Sequence, residues 1–240
     1  MSNLCIIPAK GASTRLPRKN ILPLAGEPMV NYTVHAALKS AIFDRIVVST
    51  EAQEVAETIW DVIRWRDAIQ VMFRPENLAK DPAGVVDVCL HVVESLESHG
   101  HVFKTLCILY PSSPLRHAQD IREAFALYNT GRGNSVFSVT EFDHTPYRAV
   151  REVDDGTTRF IFPEQSRKKA QELPPAYHIT GAIIILSVEN LKRHKSYFVS
   201  PKLAYILPRS RAVDIDTKDD LLYAEFLMNR RERRNYDSLR

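Results

Sequence analysis

The chain has 240 residues, 45% hydrophobic and 25% charged, with a formal net charge of +3. This is ordinary globular composition, long enough for a substantial core and for one α/β domain with an insertion. The charge is too small to demand a nucleic acid or an anionic membrane, and no apolar run approaches the roughly 18 residues of a membrane span.

Leu4-Cys5-Ile6-Ile7 is a short apolar run and reads as the first strand. It empties into Pro8 to Asn20, a loop of small residues carrying Lys10, Arg15, Arg18 and Lys19. Gly11, Ala12 and Ser13 would let backbone approach a ligand closely. Such a loop at the carboxyl end of a first strand suits a polyphosphate. It matches neither G-x-x-x-x-G-K-[ST] nor G-x-G-x-x-G, which counts against a P-loop ATPase and a dinucleotide-binding dehydrogenase. On the residues alone, a surface loop with solvated charges stays open.

A helix is expected from Pro28, with Met29, Thr33, Ala36 and Ala37 on one face. Further helices are expected over about 52–64, 84–97, 117–129 and 217–229. Residues 45–50, 105–110, 135–140 and 182–186 read as strands, the last fully buried. Strand–helix alternation predicts a mostly parallel sheet covered on both faces. Ligands bind beyond the carboxyl ends of such strands, so the loops after residues 7, 50, 110 and 216 should surround one cleft. Residues 141–181, with Pro146, Pro163, Pro174 and Pro175, break the rhythm. They read as a lid or dimerisation arm, with a long surface loop as the alternative. The 229–234 tail is basic but has no interleaved aromatics, so it reads as a solvated helix end and not a nucleic-acid site. Cys5, Cys89 and Cys107 are widely spaced, read as buried reduced thiols, and with the lack of a leader-like first segment point to the cytoplasm.

Asp214 and Asp216 are two apart. In an extended strand both carboxylates share a face while Ile215 enters the core. Paired oxygen ligands beside phosphates suit Mg²⁺. The alternative is that Asp216 merely precedes a helix, since Thr217-Lys218-Asp219-Asp220 has the form of a capping box.

Five segments in order resemble the acylneuraminate cytidylyltransferases, the CMP-sialic acid synthetases, with the CMP-Kdo synthetases as more distant cousins. Pro8 to Asn20 is similar to P-A-R-G-G-S-K-R-x-P-R-K-N, and Phe43 to Thr50 to the family's second strand. Arg74 to Asp81 resembles R-P-x-x-L-A-x-D, Tyr110 to Arg116 resembles Q-P-T-S-P-L-R, and Val213 to Thr217 resembles a D-I-D-T metal motif. Together they span nearly the whole chain.

The resemblance implies a single Rossmann-like three-layer α/β/α domain over 1–240, of nucleotide-diphospho-sugar transferase type, with a dimerisation excursion and a homodimer. It implies transfer of CMP from CTP to the anomeric hydroxyl of a 2-keto sugar acid of sialic, pseudaminic or legionaminic type, releasing pyrophosphate with Mg²⁺ at Asp214 and Asp216. CMP-Kdo synthesis and a non-catalytic nucleotide- or sugar-binding paralogue are the alternatives. Phosphoryl transfer needs mostly positioning and charge neutralisation. Lys19 and Asp216 are then the expected catalytic residues. Lys10, Gly11, Ser13, Arg15, Lys19 and Asn20 would bind the nucleotide, with Arg74, Asp81 and Ala83 in the base-reading region. Tyr110, Ser112, Gln171, His178 and Thr180 would face the sugar.

The sequence departs from the pattern at several of these positions. Lys10 replaces Arg, Thr14 a common Lys, Tyr110 Gln, His178 Arg and Thr180 Asn, and Val85 a small polar residue near the base loop. The sugar side is altered more than the nucleotide side. That implies a nonulosonic acid other than plain N-acetylneuraminate, and the Tyr177-His178 pair leans toward the pseudaminic type.

Overall fold

A computed structural model describes residues 2–63, 69–80 and 82–237. In chain order the elements are β1 (Asn3–Pro8), β2 (Pro23–Leu24), β3 (Glu27–Pro28), α1 (Met29–Ser40), β4 (Arg45–Thr50), α2 (Gln53–Ile63), β5 (Ile69–Phe73) and α3 (Val85–Ser98). They continue with β6 (Thr105–Ile108), α4 (Ala118–Tyr128), β7 (Ser135–Glu141), β8 (Val150–Glu152), β9 (Thr158–Phe160), α5 (Pro163–Ser166), β10 (Tyr177–Ser187), α6 (Val188–His194), β11 (Lys202–Ile206) and α7 (Lys218–Asp237).

Seven strands form the main sheet in the order β11-β7-β10-β6-β1-β4-β5. The pairings β1–β4, β1–β6, β4–β5 and β7–β11 are parallel, while β10 runs antiparallel to both β6 and β7. Six strands therefore share one direction and β10 opposes them. Leu4 and Ile6 of β1 pack with α3 and α6, and Cys5 and Ile7 pack with α1, α2 and α4. A strand covered on both faces reads as a continuous apolar run, as Leu4 to Ile7 does. The predicted face of α1 is right: Met29, Thr33, Ala36 and Ala37 are all buried. The three cysteines are free and buried, and burial pushes each thiol well above its ordinary range.

Three expectations are corrected. The run 182–186 belongs to a longer strand starting at Tyr177, so residues 177–181 lie in the sheet and not in the excursion. Strands β5 and β11 and helix α6 were not foreseen. β5 and β11 are the sheet's outermost strands, five residues each and partly exposed, so they lack the dense apolar signal of the centre. Residues 212–216 are not a strand; they lead directly into α7, whose capping box is present, with Thr217 Oγ1 accepting from the Asp220 amide at 3.2 Å and Asp220 Oδ2 from the Thr217 amide at 2.8 Å. No helix among the described residues is long and apolar enough to cross a membrane.

Candidate active site

Parallel strands that end together leave their following loops around one crevice. The loops after β1 and β6 and the segment before α7 meet there in a cleft of about 370 Å³. Of the expected residues, Lys10, Ser13, Arg15, Lys19 and Asn20 line it from the first loop, Tyr110 and Ser112 from the second, and Asp216 from the third. The backbone ties these pieces together. The Ile215 amide donates to the Ser112 carbonyl at 2.7 Å, and Ile215 is fully buried. Asn20 Nδ2 donates to the Lys10 carbonyl at 2.7 Å, which folds the first loop back on its own start.

The centre of the cleft is electrostatic. Lys19 Nζ donates to Asp216 Oδ1 at 2.8 Å, and Arg15 reaches Asp216 Oδ2 at 2.6 Å. The Lys19 side chain is 18% exposed and that of Arg15 is 70% exposed. One cation is thus built into the floor, and the other reaches in from solvent. Arg18, the remaining cation of the loop, turns the other way. It sits in the left-handed region at φ 56° and pairs with Glu54 of α2 at 2.5 Å.

Tyr110 forms one wall. Burial and a hydrogen bond with Tyr197 push its hydroxyl above the ordinary tyrosine range. Its ring lies so close to Gly181 that a β-carbon there would come within 2.3 Å of it. Arg116 is buried beneath. It donates to Thr33 Oγ1 at 2.8 Å and to the Tyr110 carbonyl, and burial lowers its pKa to about 10.

Other expected residues lie elsewhere. Gly11 is a packing glycine: a β-carbon would stand 2.3 Å from that of Ala52, and its amide donates to Glu51 Oε1 at 2.7 Å. Close approach to a ligand is therefore not what requires glycine there. Arg74 is buried, donates to the Ser49 carbonyl at 2.5 Å and lies 3.5 Å from Glu51, so it braces strand ends and is not aimed into the cleft. Thr180 is buried beneath the irregularity in the β7–β10 pairing, its hydroxyl 2.7 Å from Ser138 Oγ and so engaged within the sheet. His178 is exposed and packs on Phe142 at 5.1 Å, and Gln171 is exposed in a turn. Ala83, beside α3, is outside the cleft lining, and Asp81 lies outside the described residues. Asp214 is exposed, one residue before the buried Ile215, close enough to influence Tyr110 and Arg116. Sequence reasoning missed Glu51. The one signal was an acidic residue directly after the second strand.

Among the described residues no group of three His, Cys, Asp or Glu side chains could hold a metal ion. A dedicated protein cage is therefore not what this site offers. Asp216, which lines the cleft, and Asp214, two residues before it and outside that lining, offer carboxylate oxygens of the kind Mg²⁺ takes when substrate oxygens and water complete its shell.

A family model described as cytidylyltransferase matches residues 4–199. The pseudaminic acid cytidylyltransferase of Campylobacter jejuni is 32% identical over 228 residues, covering 95% of this chain and 96% of that protein. The CMP-N,N'-diacetyllegionaminic acid synthase of Legionella pneumophila is 32% identical over 233 residues, covering 95% and 97%. A solved structure of CMP:2-keto-3-deoxy-manno-octonic acid synthetase with CTP superposes with a TM-score of 0.68, at 15% identity and with 96% and 100% of the two chains covered.

Proposed function

The chain belongs to the cytidylyltransferase family, and from that premise we propose that it transfers CMP from CTP to the anomeric hydroxyl of a nonulosonic acid of pseudaminic type. The hydroxyl oxygen attacks the α-phosphorus, the bond to the bridging oxygen of the β-phosphate breaks, and pyrophosphate leaves. The observation that carries this reading is the cleft at the carboxyl ends of β1 and β6, which Lys10 lines and in which Arg15 and Lys19 converge on Asp216. Lys19, on the floor, would hold phosphate oxygens through charge-assisted hydrogen bonds, and Lys10 and Arg15 would neutralise the rest of the triphosphate. Asp214 and Asp216 would hold Mg²⁺, which when bound offsets phosphate charge and helps orient the reactants.

The sugar class rests on relatives named for pseudaminic and legionaminic acids, aligned over nearly their whole length. Among the sequence departures it is the Tyr177-His178 pair that leans toward the pseudaminic type, alongside the relative named for that acid. Homodimer formation is supported by the excursion, where Val150, Phe160 and Ile161 stand about half exposed. A cytoplasmic location rests on the three free buried thiols.

The test is pyrophosphate release from CTP and Mg²⁺ with pseudaminic, legionaminic, N-acetylneuraminic and Kdo acids, with and without chelator. Turnover with pseudaminic acid, lost on chelation, is expected. A wide kcat/KM preference for N-acetylneuraminate or Kdo would overturn the sugar assignment. CTP binding without turnover on any acid would point to a non-catalytic paralogue.

A further inference from the structure

Backbone amides of a small-residue loop after a first strand ordinarily face the bound phosphate. Here two of them do not. The Gly11 amide donates to Glu51 Oε1 at 2.7 Å, and the Ala12 amide points to the same oxygen at 3.4 Å. Glu51 follows the last residue of β4, so one carboxylate holds the loop of β1 against the end of the neighbouring strand. The contact is tight on the carbon side as well, because Gly11 lies against Ala52 with no room for a β-carbon.

A carboxylate below a triphosphate site would repel the substrate unless it were neutralised. Arg74 supplies the opposite charge. Its side chain is 4% exposed, its Nε lies 3.5 Å from Glu51 Oε2, and its guanidinium is fixed by the Ser49 carbonyl. The two facing atoms are buried and have no other hydrogen-bond partner, so the pair is an electrostatic contact between groups held from elsewhere. Burial lowers the Arg74 pKa and Glu51 opposes that shift. The Asn20–Lys10 bond clamps the other side of the loop.

We propose that Glu51, backed by Arg74, is a positioning residue for the reaction: it anchors the Gly11 and Ala12 amides and thereby directs Lys10, Ser13 and Lys19 at the triphosphate. The anchor commits the Gly11 and Ala12 amides to Glu51. This rests on the function proposed above and assigns roles within it to residues outside the cleft lining.

The experiment uses the full chain as wild type, E51A, E51Q and the double variant E51A/R74M. The double variant removes the buried cation with its counter-charge, so its fold is not left with an uncompensated ion. Affinity is measured by calorimetry for CTP and for inorganic tripolyphosphate, each with Mg²⁺. Gly11 is followed by its amide resonance in glycine-labelled protein, which has only 8 glycines to resolve. E51A and the double variant should bind both ligands about tenfold or more weakly, in keeping with the cost of small misplacements in a phosphate-transfer site. E51Q, which still offers an acceptor oxygen, should recover most of that affinity and keep the Gly11 amide near its wild-type shift. A merely structural role would lower the melting temperature without a parallel loss for the base-free tripolyphosphate. The proposal is overturned if the folded double variant binds both ligands like wild type, or if E51Q is as weak as E51A. Wild type without affinity for CTP would overturn the proposed function together with this inference, whereas unaffected variants would remove this inference alone.

Discussion

The cleft and the excursion over residues 142–176 are built on opposite plans. In the cleft the loops are fastened to one another, Ile215 to Ser112 and Gly11 to Glu51, and those after β1 and β6 are each braced within themselves, Asn20 to Lys10 and Arg116 to Tyr110. The excursion is fastened chiefly to itself, as the β8–β9 hairpin, the short α5 and a Tyr147–Phe162 ring contact at 5.7 Å. All six strand residues of that hairpin are exposed. Chemistry that depends on positioning needs a rigid frame, and the strand ends supply it. A surface that meets another molecule needs apolar side chains left outward, and the excursion supplies those.

Four variants would break or sharpen this contrast. The largest effect is expected from Asp216→Asn, which removes the charge that Lys19 and Arg15 share and one of the two proposed Mg²⁺ ligands; kcat in the pyrophosphate assay should fall about 10²–10³-fold. Activity within a few-fold of wild type would remove Asp216 from the machinery. Gly11→Ala comes next, since its β-carbon cannot coexist with Ala52 unless the loop shifts; kcat/KM for CTP should fall about 10²-fold with the melting point lowered only slightly. A crystal structure with the loop unmoved would contradict that account.

Lys19→Met tests the floor cation alone. Loss of a charge-assisted hydrogen bond worth about 1.5–3 kcal/mol predicts CTP binding roughly 10- to 100-fold weaker by calorimetry. The smallest effect on nucleotide is expected from the excursion. In Phe160→Ser/Ile161→Ser, the CTP dissociation constant should stay within about threefold while sedimentation shows a smaller particle, because these exposed apolar side chains matter to association and do not line the cleft. A large loss of CTP affinity in that variant would show that the two regions are coupled.

Much of this was legible in the sequence, for reasons that can be assigned. Leu4 to Ile7, Ile46 to Val48 and Ile183 to Leu186 are buried on both faces, so their apolar runs announce central strands. The segment Asp214-Ile215-Asp216 showed its alternation, and Ile215 is indeed buried, even though the segment is no strand. The edge strands β5 and β11 were silent because half of each faces outward.

For the site, residue types and their order determined the cation-rich loop, the acidic segment before α7 and membership of the cytidylyltransferase family. Local pattern carries that information because strands and loops follow one another along the chain. Which side chains share the cleft was decided by tertiary structure. It turned Arg18 toward Glu54, sank Arg74 and Thr180 beneath the strands, and set Gly11 against Ala52. It also brought Glu51 to the loop of β1, 40 residues away in sequence. The physical reason is that hydrogen bonds and ion pairs between separate loops depend on the register of the strands beneath them, and that register is set only when the sheet is assembled.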